Sequence, residues 1–360
     1  MCQQDFHRHT LFCILPPYVL RNIAQNGSPQ QRSEAMQTLA TDATMRAFRA
    51  MQNTPKAPLP ARAATMMLPV EGHKQRAIYD AKHHQNLPGV LARREGDPAA
   101  GDAAIDEAYD GLGATFDFFW EIFERNSLDD EGMVLLATVH FGRGYSNAFW
   151  DGQRMVFGDG DGFLFNRFTS SLDVIAHELA HGVTEDEARL IYFFQSGALN
   201  ESMSDVFGAL VKQRRLNQKA QEADWLIGAE LLTKEVEGVA LRSMKEPGSA
   251  FDDPLLGKDP QPKHMQNFVR TYEDNGGVHI NSGIPNHAFY LLATHLGGYS
   301  WEKAGRIWYE TLRDSKLRPN TGFLRFARYT LVNAQRLYGA NGAEAKAVRE
   351  AWAAVGVKLN

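Results

Sequence analysis

The chain has 360 residues, 44% of them hydrophobic, and a formal net charge of −5. That is enough apolar material for two cores, and the acidic balance excludes nucleic acid and anionic membrane as main partners. No apolar run reaches the roughly 18 residues that a membrane-spanning helix needs, and the two cysteines, Cys2 and Cys13, leave the rest of the chain without a disulfide. Met1 to Thr10 is polar, and the short apolar piece Leu11 to Leu15 is cut by Pro16-Pro17. It lacks the charged start, apolar middle and small-residue cleavage site of a secretory signal, so the expectation is a protein cytoplasmic as synthesised, exported if at all by a non-classical route. Ser28-Pro29 pairs an N-cap with a first-turn proline and predicts a helix to about Ala50, with Met36, Leu39, Ala43 and Ala47 on one side. Pro55, Pro58 and Pro60 rule out a helix interior and predict a linker. Residues 65 to 170 mix strands, among them Met133 to Phe141 and Arg154 to Phe157, with one strong helix, Asp102 to Asn126. From Ser171 onward helices are predicted at 173–184, 200–215, 284–296, 301–313, 320–337 and 342–354, which makes the fold class α+β.

The most informative motif is His177-Glu178-Leu179-Ala180-His181. Histidines four apart on a helix project from one face and can hold one Zn²⁺, and a glutamate between them can act on a water. Asn200-Glu201-Ser202-Met203-Ser204-Asp205 offers the missing third ligand in Glu201, with Asp205 one turn further on the same face. Two histidines and a glutamate leave the fourth position open, the arrangement of a catalytic zinc rather than a structural one.

With these motifs, the chain resembles the thermolysin family of neutral metallopeptidases. The resemblance runs from about residue 65 to 360 and includes Asn147-Ala148-Phe149-Trp150, Gly158-Asp159-Gly160-Asp161-Gly162, Ser196-Gly197-Ala198-Leu199-Asn200-Glu201, Leu241-Arg242-Ser243-Met244 and Asp274-Asn275-Gly276-Gly277-Val278-His279. The leader, with Leu15-Pro16-Pro17-Tyr18-Val19-Leu20, looks like the short propeptide of the protealysin-like branch, whose members are bacterial. The resemblance implies a two-lobed catalytic unit: a propeptide at 1–55, a linker at 56–64, an N-terminal mixed α/β lobe with the zinc helix at 65–185, and a C-terminal helical lobe at 186–360. It implies a zinc endopeptidase made as a latent precursor, cutting before hydrophobic residues through a zinc-activated water. His177, His181 and Glu201 would bind one zinc, and Glu178 would be the general base. His279 and Tyr192 would stabilise the oxyanion, with Asp274 orienting His279 and with Asp205 and Asn200 supporting the zinc histidines. Asn147, the Ala148 carbonyl and Arg242 would hold the substrate backbone. Phe165, Phe168, Val174, Ile227, Leu231 and Leu241 would line the pocket for the residue after the cut.

Departures from the pattern matter too. Of the acids that bind a double calcium site in thermolysin, Asp173 and Asp224 are matched, while Lys212, Leu226 and Ala229 stand at other positions and Val239 at that of a further site. An ammonium cannot ligate a metal, so the double site is expected to be absent, with the Lys212 ammonium in part replacing the ion beside Asp173. Asp159 and Asp161 are expected to make a tight turn rather than to bind calcium. In the leader, Cys13 is read as a small packed residue, with a thiolate ligand to the precursor's zinc as the alternative, and Pro16-Pro17-Tyr18 is expected to lie across the cleft. Self-cleavage is expected between about Phe48 and Met67. Partners would be peptide substrates, the chain's own propeptide and, by analogy with relatives, a small protein inhibitor, and the protein would act as a monomer. A zinc aminopeptidase and a non-catalytic zinc protein remain as alternatives.

Overall fold

The structure, a computed structural model, describes residues 12–52 and 71–359, apart from the side chains of residues 48–52. The expected linker and most of the expected self-cleavage region lie outside the described residues.

Short strand β1 (Phe12–Cys13) opens the described chain and is followed by α1 (Pro17–Asn26) and α2 (Pro29–Gln52). The N-terminal lobe begins with β2 (Arg76–Asp80) and β3 (Val90–Arg94), then α3 (Ala103–Phe123), β4 (Leu135–Val139), β5 (Ala148–Trp150) and β6 (Met155–Phe157). The six strands form one mixed sheet in the order β1-β5-β6-β4-β2-β3. The leader strand therefore extends the sheet at β5, antiparallel to it, with Phe12 opposite Trp150 and Cys13 opposite Phe149. Asp102 caps α3 by accepting from the Ala104 and Ile105 amides at 2.9 and 3.1 Å, which starts that helix where the sequence places it.

After the sheet the chain is mainly helical. Helix α4 (Leu172–Glu187) packs along α5 (Phe194–Arg215). Two small hairpins follow, β7 (Leu226–Ile227) with β8 (Arg242–Ser243) and β9 (Asp252–Asp253) with β10 (Gly257–Lys258). Helices α6 (Asp274–Asn281), α7 (Gly283–Leu296), α8 (Ala304–Leu312), α9 (Phe323–Tyr338) and α10 (Ala343–Ala354) complete the second lobe. The α+β class and the later helices agree with the sequence-based expectation. Helix α5 begins at Phe194 rather than at residue 200. Gly197 is required inside the helix, where a Cβ would sit 2.4 Å from Val278 Cγ1 and 2.8 Å from the Tyr192 carbonyl carbon.

Two features of the leader differ from expectation. Pro17 opens α1, a helix the sequence reading did not include; Pro17 and Tyr18 lie beside Asp274, and the extended residues Phe12 to Leu15 run along the cleft before them. On α2 the buried face is only in part the expected one: Leu39 packs half-buried against the core, but Met36 is 59% exposed, Ala43 and Ala47 are exposed, and Ala35, Thr38, Thr41 and Asp42 are buried. The polar face is buried because it hydrogen-bonds the catalytic lobe. Thr38 Oγ1 accepts from the Ser146 amide at 3.2 Å, Thr41 Oγ1 from Gln85 at 3.1 Å, and Asp42 from Asn147 at 3.0 Å.

Candidate metal centre and substrate cleft

Helix α4 puts His177, Glu178 and His181 on its buried side, and α5 brings Glu201 against them; all four are wholly buried. His181 Nε2 lies 3.1 Å from His177 Nε2 and 3.4 Å from Glu201 Oε1, and His177 Nε2 lies 3.5 Å from Glu201 Oε2. Ligands about 2.0–2.1 Å from a tetrahedral zinc stand about 3.3 Å apart, so the three donors fit that ion. Glu201 Oε2 has no hydrogen-bond partner although it is buried, as an oxygen reserved for a cation would be.

The other ring nitrogens are fixed from behind. His181 Nδ1 is 2.7 Å from Asn200 Oδ1, and His177 Nδ1 is 2.8 Å from Asp205 Oδ1. This leaves each Nε2 facing the cluster. Burial and the neighbouring His177 hold the His181 pKa well below its usual value, which keeps that ring neutral. Asp205 also accepts from Arg242 Nε and Nη2, at 2.9 and 2.8 Å, and from Asn286 at 2.8 Å. Burial alone would raise the Asp205 pKa; Arg242 and His177 reverse that and hold it well below the carboxylate range.

Glu178 Oε2 accepts the Trp150 amide at 3.2 Å, while Oε1 has no partner. Burial first, and then the Glu201 charge, push the Glu178 pKa well up. On the other side of the cluster, the Tyr192 hydroxyl donates to Glu201 and lies 3.2 Å from His279 Nε2. His279 Nδ1 is 2.5 Å from Asp274 Oδ1, and the His279 amide donates to Asp274 Oδ2 at 2.9 Å. Burial would lower the His279 pKa, but Asp274 and Glu201 push it up to about 9. The left-handed run Asn275-Gly276-Gly277 makes this double contact possible, and a Cβ on Gly276 would meet the Phe194 ring at 2.4 Å.

The leader lies across this centre in a regular register. The Cys13 carbonyl accepts from His279 Nε2 at 3.0 Å. The Ile14 amide donates to the Ala148 carbonyl at 3.2 Å, and the Ile14 carbonyl accepts from Arg242 Nη1 at 3.1 Å. The Leu15 amide donates to Asn147 Oδ1 at 3.0 Å. Phe12 stacks on the His181 ring with centroids 4.4 Å apart. The three residues expected to hold a substrate backbone thus all hold the leader's. The Cys13 thiol packs with Phe141, Tyr145, Phe149 and Val156, and burial pushes its pKa well up; among the described residues it belongs to no metal-ligating group. Phe165, Phe168, Val174, Ile227, Leu231 and Leu241 share one core with Ile14, and the β7–β8 pair sets Ile227 opposite Arg242.

Beside α4, Lys212 Nζ lies 3.1 Å from Asp173, 3.2 Å from Asp224 and 4.0 Å from Glu230, and donates to the Leu226 carbonyl at 3.3 Å. Asp161 does make a turn, its Oδ1 accepting from the amides of Phe163, Leu164 and Phe165. Several residues that build these sites escaped sequence reading: Phe12, Asp42, Glu230 and Asn286. Only Asp42 carried a signal, as the one acid in the otherwise uncharged stretch Ala35 to Met45 of that helix.

Comparison with known proteins agrees with this geometry. Three family profiles match in succession: "Protealysin propeptide" over residues 13–40, "Thermolysin metallopeptidase, catalytic domain" over 49–185 and "Thermolysin metallopeptidase, alpha-helical domain" over 188–357. The chain is 56% identical over 346 residues to the "Extracellular metalloprotease" of Pectobacterium carotovorum subsp. carotovorum, covering 96% of each. It is 52% identical to "Protease PrtS" of Photorhabdus sp. (strain Az29), covering 96% of this chain and 92% of that one. The solved precursor of protealysin, a metalloproteinase from Serratia proteamaculans, superposes with a TM-score of 0.87 at 53% identity, over 96% of this chain and 99% of that one. The "Extracellular minor metalloprotease" of Serratia marcescens is 43% identical. Relatives so named overturn the expectation of a cytoplasmic protein, which rested only on the want of a recognisable secretory signal; such a signal reports on one export route and not on the compartment. Among the described residues no helix is long and apolar enough to cross a membrane. The chain belongs to the thermolysin family of zinc metalloendopeptidases, in its branch with a protealysin-type propeptide.

Proposed function

We propose that this protein is a secreted zinc endopeptidase whose leader inhibits it by lying in the cleft as a substrate would. The observation that carries this reading is the run of backbone bonds from the Cys13 carbonyl to the Leu15 amide. In this register the Cys13–Ile14 bond occupies the place of a scissile bond. His177, His181 and Glu201 would hold the zinc, which when bound supplies a Lewis acid that activates water and polarises the carbonyl. Glu178, held by Trp150, takes a proton from the attacking water and passes it to the leaving amine. His279 donates to the carbonyl oxygen as it gains charge, Tyr192 supports it, and Asp274 fixes the imidazole. Asn147, Ala148 and Arg242 hold the substrate backbone, and the six apolar residues around Ile227 receive the side chain after the cut, a place Ile14 takes in the precursor. The chain divides at about residues 55, 64 and 185 into propeptide, linker and two catalytic lobes, and acts as a monomer. Lys212 takes the place of a double calcium site beside Asp173.

The test is a time course of the purified full chain by mass spectrometry, with blocked internal peptides as substrates. The chain is expected to shorten from its N-terminus and then to cut before Leu or Phe in preference to Asp. A chain that never shortens and leaves blocked peptides intact sinks the endopeptidase reading, and cutting only of free N-termini favours an aminopeptidase.

Two outcomes follow from the leader's contacts. Ile14 is fully buried, and Ile14→Asp would bury an unpaired carboxylate at a cost of several kcal/mol. The full-length variant is expected to hydrolyse peptide without the initial lag, at least about tenfold faster than the wild-type precursor; an unchanged lag means that latency lies elsewhere. Asp42 gives a pH dependence. Burial pushes its pKa up to about 6, against the opposing hydrogen bonds of Tyr145 and Asn147 and the charge of Arg46, with the uncharged Cys13 also nearby. A carboxyl with a raised pKa in the docked state contributes docking strength that is full below the free value near 4 and is lost as pH rises through about 6. The precursor should therefore melt lower at pH 7 than at pH 5 relative to Asp42→Asn in the same Glu178→Ala background. Parallel curves for the two proteins would exclude Asp42 as the titrating group.

A further inference from the structure

A second set of nitrogen and oxygen donors converges outside the cleft. His83 comes from the loop after β2, His140 directly follows β4, and Asp159 lies just beyond β6. Their ligand atoms all fall within 4.8 Å of one another. His140 Nδ1 is 2.9 Å from Asp159 Oδ1, and His83 Nδ1 is 3.3 Å from Asp159 Oδ2. These are close to the spacings among His177, His181 and Glu201, and to the roughly 3.3 Å edge of a tetrahedral zinc site. The remaining nitrogen of His140, Nε2, lies 3.2 Å from Asp102 Oδ1, the carboxylate that caps α3. That is the carboxylate–histidine arrangement that fixes the tautomer of a ligand imidazole.

The backbone holds the two histidines in place. Both sit in the left-handed region, His83 at φ 60° and His140 at φ 53°. Such conformations cost free energy in a non-glycine residue and persist where the surroundings enforce them. Here the His83 amide donates to the His140 carbonyl at 2.9 Å, and the Gly142 amide to the His84 carbonyl at 3.1 Å.

We propose that His83, His140 and Asp159 form a second metal site, taking a late first-row divalent cation of the zinc, copper or nickel class, with water completing its shell. Two imidazoles and one carboxylate suit these ions, whereas calcium requires six to eight oxygens. The His83 side chain is half-exposed, which makes this the weaker and faster-exchanging of the two sites. The ion would also brace the loop whose Gln85 bonds Thr41 of the propeptide helix α2.

The test is equilibrium dialysis of the full-length Glu178→Ala chain against zinc, with metal counted per chain, and a parallel copper titration followed by electron paramagnetic resonance. Two zinc ions per chain are expected, falling to one in His83→Ala and in Asp159→Asn, with loss of a nitrogen-coordinated copper signal. One ion in the parent overturns the proposal, as does retention of both ions in His83→Ala. Should Asp159→Asn fail to fold, His83→Ala decides alone, since its side chain is half in solvent. Failure of the catalytic zinc site would appear separately, as absence of the ion that remains in His83→Ala.

Discussion

Glu178→Ala is expected to keep its zinc and lose its turnover. Glu178 stands between two proposed ligands on α4, yet neither of its oxygens touches a histidine: Oε2 takes the Trp150 amide, and Oε1 is free. Removing the carboxylate therefore takes away an acceptor for the water's proton and leaves the donor set of His177, His181 and Glu201 in place. A positioned general base contributes about 10²–10⁴ in rate, so kcat should fall about a thousandfold with metal content unchanged. The same variant should stay full length where the wild-type chain trims itself. By contrast His279→Ala removes one donor to the developing oxyanion, a loss of about 10²–10³. If Glu178→Ala retained metal and a tenth or more of the activity, another group would have to be the base.

The cluster of His177, His181 and Glu201 is legible in the sequence because its geometry is local. A spacing of four on a helix fixes two imidazoles on one face, and Glu201 and Asp205 repeat the device on the next helix. The leader was less legible for a physical reason. Strand β1 is two residues long and exists only through its pairing with β5, so no periodicity announces it. Helix α2 was recognised by its Ser28-Pro29 start, but its inward face was misassigned: hydrophobic period finds a face that packs, whereas Thr38, Thr41 and Asp42 form a face that hydrogen-bonds. Pro16-Pro17 carries no helical period of its own, yet a proline at the first helical position is a helix start, and Pro17 opens α1. Glu230, His83 and Asp159 have meaning only through partners far away in sequence, and a single chain read along its length does not bring those segments together.

The largest stability effect is expected at Lys212. Lys212 is 7% exposed, and its ammonium faces Asp173, which is fully buried, together with Asp224 and Glu230, which are about half exposed. Desolvation would lower the Lys212 pKa, and the Asp173 charge reverses this and raises it, so the group stays charged. Lys212→Met keeps most of the stem and removes the charge, leaving the Asp173 carboxylate unpaired in the core beside two others. Breaking a buried pair in this way costs about 3–5 kcal/mol, and the midpoint of thermal unfolding in the Glu178→Ala background should fall by roughly 5–15 °C. On the proposal that the ammonium stands in for a cation, EGTA should not move the melting point of the parent. The decisive variant is Lys212→Asp, which sets a fourth carboxylate among Asp173, Asp224 and Glu230 in place of the ammonium. Four acids in one place repel without a cation and offer oxygens to a hard one. This chain should therefore be less stable than Lys212→Met in EGTA and recover on adding calcium, which Lys212→Met does not. If calcium moves the parent and Lys212→Asp alike, the ion binds elsewhere and the ammonium is not its substitute.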